Sequence, residues 1–115
     1  MNAPLPQLPA PEVAAFVAAH PDARPVLLDV REAWEVQTAR LDLPGVTTLH
    51  IPMGTLPARL HELPRSQPIL GLCHLGARSL QCVAFLQRQG FADVYNLAGG
   101  IDAWSREVDA TVPRY

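Results

Sequence analysis

Four short apolar runs, separated by segments of helical character, constrain this chain more than any other feature. They are VLLDV at Val26–Val30, TTLHI at Thr47–Ile51, PILGLC at Pro68–Cys73 and DVYNL at Asp93–Leu97. Each is too short for a helix and lacks its period, so each reads as a strand. The segments between them carry helix signals. EVAAFVAAH (Glu12–His20) sits between Pro11 and Pro21, which suit a helix start and a stop. Glu32–Ala39 has room for one or two turns, and Leu56–Leu63 lies between Pro52 and Pro64. Ser79, Cys82, Val83 and Leu86 recur at i, i+3, i+4 and i+7, so Ser79–Gln89 is a helix ended by Gly90. Gly99–Gly100 opens a last helix, Ile101–Val108. Strand–helix alternation implies an α/β domain with a mostly parallel sheet, whose ligands bind outside the carboxyl ends of the strands.

A chain of 115 residues fits one domain. Residues 1–11 hold four prolines and read as a flexible lead-in, which leaves 12–115 as the domain. The start, MNAPLPQLPAPE, has no basic residue and no continuous apolar core, so it is not a secretory signal. No apolar run approaches the ~18 residues of a membrane helix. A soluble, cytoplasmic protein is expected. The net charge of −2 gives no basic surplus for a nucleic-acid backbone. All nine cations are arginine, so each can bind an anion through a planar fork. Cys73 and Cys82 are nine residues apart, neither a disulfide framework nor a metal pair. His20, His50 and His61 are scattered without metal spacing.

Cys73 stands where the third strand stops and a helix is about to start, in CHLGARS (Cys73–Ser79). A chain that leaves a strand and enters a helix at once must curl, and Gly76 permits the positive φ this needs. Backbone N–H groups in such a curl converge as an anion nest. The helix N-terminus adds its partial positive charge and Arg78 a full one. All three favour thiolate over thiol at Cys73, and the thiolate is the nucleophile. The plainer alternative is a buried cysteine at a strand end.

With CHLGARS stand LLDVRE (Leu27–Glu32), Trp34–Glu35, GF (Gly90–Phe91) and NLAGGIDAW (Asn96–Trp104). In this order and spacing they make the chain from Glu12 to Tyr115 resemble the rhodanese-like sulfurtransferases. That resemblance implies a five-stranded, largely parallel sheet with helices on both faces. It implies an active cysteine opening the six-residue loop Cys73–Arg78, which picks up sulfane sulfur as a persulfide and passes it on. Cys73 and Arg78 are then the catalytic pair, and His74, Leu75, Gly76, Ala77 and Ser79 bind the substrate. The implied donor is a small anion such as thiosulfate. The acceptor is cyanide or a thiol, with a protein acceptor as a further candidate, and no cofactor is expected. Many relatives carry G-H-I-x-G-A where this chain has Arg40–Val46.

Two rival functions remain. One is a rhodanese-like regulatory, redox-sensing or protein-binding module with little turnover. The other is a phosphatase or arsenate reductase, which uses the wider loop C-x₅-R. Here four residues separate Cys73 from Arg78, a ring better sized for one sulfur than for a tetrahedral oxyanion.

Asp29 and Arg31 follow a strand, so they brace the loop or line its rim, or form a structural ion pair, Arg31 with Glu35 for example. His74 is a general base or a rim residue. Cys82 packs in the core with Val83 and Leu86. Trp34 and Trp104 pack the core or line the pocket mouth.

Overall fold

The computed structural model describes residues 5–115. In chain order the elements are β1 (Gln7–Pro9), a 3₁₀ turn (Ala10–Glu12), α1 (Val13–Ala19), β2 (Val26–Asp29), α2 (Ala33–Thr38), β3 (Thr47–His50), a 3₁₀ stretch (Met53–Glu62), β4 (Ile69–Leu72), α3 (Ala77–Arg88), β5 (Val94–Ala98) and α4 (Gly100–Glu107). The five strands form one sheet in the order β1-β5-β4-β2-β3. Every pairing is parallel.

The central strands, VLLD and ILGL, are buried along their whole length, as strands covered on both faces must be. Their side chains alternate between two cores. Val26, Leu28 and Ile69 pack with Leu56, Val83 and Leu86 beneath the Met53–Glu62 stretch and α3. Leu27, Leu70 and Leu97 pack with Val13, Ile101 and Trp104 beneath α1 and α4. Each fully buried leucine or isoleucine contributes about 2 kcal/mol. Trp104 belongs to the core, whereas Trp34 is exposed.

The sequence reading is corrected at three places. Gln7–Pro9 is not lead-in but an edge strand, with Gln7 opposite Asn96 and Leu8 opposite Leu97. Three residues are too few to show alternation, and the edge position tolerates Pro9. The segment expected as a helix at Leu56–Leu63 is a 3₁₀ stretch that begins at Met53. Pro57 lies inside it and the backbone breaks at Arg59 (φ −118°, ψ 18°). Finally, α3 starts at Ala77, because Gly76 caps it in the left-handed region (φ 103°).

All strands run in one direction, so the carboxyl ends of β2, β4 and β5 and the N-termini of α3 and α4 meet at one edge. Among the described residues no helix is long and apolar enough to cross a membrane. No group of three or more His, Cys, Asp or Glu among them is placed to hold a metal ion.

Candidate active site

Cys73 follows β4 directly and is 1% exposed. The curl after it turns the Gly76 N–H back onto the sulfur, at 3.0 Å from Sγ. The carbonyl groups of the loop are held from outside. Cys73 O accepts from the Ile101 N–H at 2.9 Å and His74 O from the Asp102 N–H at 3.1 Å. With these two carbonyls turned out toward α4, the Gly76 amide is left for the sulfur. This close docking is what Gly100 provides: its φ is +64°, and a Cβ there would collide with His74 O and lie 2.6 Å from Cys73 O. In the sequence Gly99–Gly100 reads only as a turn into a helix.

Ser79 Oγ lies 3.3 Å from Cys73 Sγ, 3.3 Å from Gly76 O and 2.5 Å from Asn96 Oδ1. A hydroxyl has one proton, and the shortest contact assigns it to Asn96 while the sulfur is a thiol. Rotation delivers the same proton to a thiolate. The Asn96 amide donates to Gly76 O (3.1 Å) and to Gln7 Oε1 (2.9 Å), and these two bonds fix its orientation. A chain of side chains thus runs from the edge strand β1 to the nucleophile.

Arg78 commits both terminal nitrogens to Glu35, Nη1 to Oε1 at 2.7 Å and Nη2 to Oε2 at 2.8 Å. The sequence reading aims this charge at the sulfur; the structure shares it with a carboxylate. Glu35 also accepts from Tyr115 Oη at 2.8 Å and from the Glu32 N–H at 3.1 Å. The Arg78 fork outweighs burial and holds the Glu35 carboxyl down to about 2. The same bond pushes the Arg78 guanidinium up. Glu35 is a site residue that sequence reasoning missed, although its place three residues after Glu32 is a capping-box spacing, and the box is formed.

Arg31 pairs with Asp29 and not with the Glu35 carboxylate, which corrects the expected partner. It is 0% exposed, and all five of its N–H groups are used. Nε and Nη2 donate to Asp29 (2.9 and 2.8 Å), and Nη2 also donates to Ala39 O (2.8 Å). Nη1 donates to Glu35 O (3.3 Å) and to Tyr115 Oη (3.0 Å). His50 Nε2 bonds the Arg31 carbonyl at 2.6 Å. Asp29 accepts nothing from the Cys73 loop; with Arg31 it braces the platform under α2. Burial opposes the Arg31 charge, but the bonds to Asp29 and Tyr115 win and its pKa is raised.

Tyr115 is the second residue missed, and nothing local in the sequence signals it. Its ring stacks on the His74 imidazole with centroids 3.9 Å apart and planes 10° apart. The edge of Trp34 meets it at 6.0 Å. His74 is therefore a rim residue in contact with the tail. Leu75 and Ala77 face solvent, whereas Gly76 and Ser79 are buried in the curl. Cys82 packs in the core with Val83 and Leu86, and burial pushes its thiol up to about 11.

Residues 12–107 match the family model described as the rhodanese-like domain. The chain belongs to the rhodanese-like domain family. It is 37% identical over 81 residues to a sulfurtransferase of Allochromatium vinosum, covering 70% of this chain and 72% of that one. It is 33% identical over 94 residues to the adenylyltransferase and sulfurtransferase MOCS3-2 of Zea mays, covering 78% of this chain and 19% of that protein. The crystal structure of a thiosulfate sulfurtransferase from Pseudomonas aeruginosa superimposes with a TM-score of 0.72 at 28% identity, covering 96% of this chain and 20% of that one. These relatives support sulfur transfer as the general chemistry of this rhodanese domain.

Proposed function

We propose that the protein is a sulfurtransferase that carries sulfane sulfur as a persulfide on Cys73. The observation that carries this reading is the Gly76 N–H aimed at Cys73 Sγ from 3.0 Å, inside a loop whose Cys73 and His74 carbonyls are tied outward to α4. A preorganised donor at the position where negative charge rests stabilises both the thiolate and the persulfide.

In the first half-reaction the Cys73 thiolate attacks the outer sulfur of a sulfane donor, of which thiosulfate is the simplest. A sulfur–sulfur bond forms at Cys73, the bond inside the donor breaks, and sulfite leaves with the electron pair. The terminal sulfur of Cys73–S–S⁻ carries the negative charge. The Gly76 N–H, at the N-cap of α3, faces that charge. In the second half-reaction an acceptor, cyanide or a thiolate, attacks the terminal sulfur. Thiocyanate or a new persulfide departs, and the Cys73 thiolate returns. The donor product leaves before the acceptor enters, so the kinetics are ping-pong.

The test is initial-rate thiocyanate formation at varied thiosulfate and cyanide. Parallel double-reciprocal lines, lost in Cys73→Ser, are expected. Turnover that survives in Cys73→Ser, or no turnover with any sulfane donor, overturns the proposal.

A further inference from the structure

His74 links the nucleophile to the curl that returns to it, and it is held from two sides. Its carbonyl accepts from the Asp102 N–H at 3.1 Å. Its imidazole lies against the Tyr115 ring, with centroids 3.9 Å apart and planes 10° apart. Both side chains are half-buried.

Tyr115 is itself placed by groups whose roles are fixed. Arg31 Nη1 can only donate, and it reaches Tyr115 Oη at 3.0 Å. The Glu35 carboxylate can only accept, and it takes the hydroxyl proton at 2.8 Å. Burial raises the Tyr115 pKa, so the hydroxyl keeps that proton. The chain leading to Tyr115 is tied down as well. Arg114 Nε donates to Asp102 Oδ1 at 2.9 Å, and Ser105 Oγ donates to Val112 O at 2.8 Å. Asp102 thus holds His74 through its N–H and the tail through its carboxylate. The Glu35 that accepts from Tyr115 also holds Arg78. A circuit His74–Tyr115–Glu35–Arg78 therefore runs from one end of the cysteine loop to the other. Gly76, whose N–H faces Cys73 Sγ, lies between those ends.

Resting on the sulfurtransferase reading, we propose that Tyr115 is a positioning residue for the reaction: by clasping His74 to Glu35 it fixes the span of the loop, and with it the aim of the Gly76 N–H at the Cys73 sulfur. Its effect on rate passes through His74. Both half-reactions begin or end on that sulfur, so both depend on the aim.

The test is initial-rate thiocyanate formation by the wild type and four variants, with urea midpoints measured alongside. Loss of a stacked aromatic pair is enough to slow a step about tenfold. Tyr115→Leu should therefore lower kcat/KM about tenfold for thiosulfate and for cyanide alike. His74→Leu removes the same stack from the other side and should cost the same. The double variant should cost no more than either, because the two changes break one contact. Tyr115→Phe keeps the ring and should stay within about threefold of the wild type. A loss for thiosulfate alone would make Tyr115 a donor contact and overturn the proposal. So would a loss of about a hundredfold in the double variant, or a Tyr115→Phe as slow as Tyr115→Leu. A Tyr115→Leu protein with a lowered urea midpoint but unchanged kcat/KM per folded molecule would also overturn it, leaving the sulfurtransferase intact. No turnover in the wild type overturns the sulfurtransferase reading, and this role with it.

Discussion

The Glu35–Arg78 fork makes the stability of the protein depend on acid in a calculable way. The Glu35 side chain is 4% exposed, and its carboxyl is held down from 4.5 to about 2. At about 1.4 kcal/mol per pH unit, that depression corresponds to at most ~3.5 kcal/mol of folding free energy. The Arg78 side chain is 37% exposed, so water screens the pair, and about 2 kcal/mol is the working figure. A lowered folded-state pKa stabilises above the unfolded value. The contribution is therefore complete above pH 4.5 and is lost as pH falls toward 2. Glu35→Gln removes the titrating group. Urea unfolding at pH 7 should show the variant about 2 kcal/mol less stable, a midpoint shift of about 1 M. At pH 2.5 the gap should shrink below about 1 kcal/mol. A gap of the same size at both pH values would refute the ionic account of the fork.

Other perturbations probe the rest of the site. Gly100→Ala places a methyl against the carbonyls of Cys73 and His74 at a left-handed φ, so a loss of about 2–4 kcal/mol is expected, read as a melting temperature lowered by roughly 10 °C, together with slower sulfur loading. Arg31→Met strands the buried Asp29 charge and should cost about 3–5 kcal/mol in urea unfolding, whereas the double variant Arg31→Met/Asp29→Leu should recover most of that loss. Recovery of nothing would mean that Arg31 acts through its other bonds. Because the Cys82 thiol is pushed up to about 11, peptide mapping after alkylation at pH 8 should find Cys82 unmodified in the folded protein, and its rapid labelling would contradict the packing described.

The legible parts of this fold are those with local signals. VLLDV, TTLHI, PILGLC and DVYNL each declare a strand by composition and length, and the Ser79–Leu86 spacing declares α3. CHLGARS announces its curl because a glycine must lie between strand and helix. What stayed hidden depends on contacts between residues far apart in sequence. Gln7 looks like part of a proline-rich lead-in, yet it reaches Cys73 through Asn96 and Ser79. Arg78 reads as the cation of the loop, and only its meeting with Glu35, 43 residues earlier, shows where its charge goes. Tyr115 has no pattern around it; its role arises from tail closure, held by Ser105 Oγ on Val112 O and by Arg114 on Asp102.

The central claim is that Cys73 holds one sulfur atom between two half-reactions. Intact-protein mass measurement after incubation with a sulfane donor tests it most directly. The account predicts a gain of about 32 Da on the wild-type chain, removed by cyanide and absent in Cys73→Ser. No gain with thiosulfate or any other sulfane donor, or an equal gain in Cys73→Ser, would contradict it.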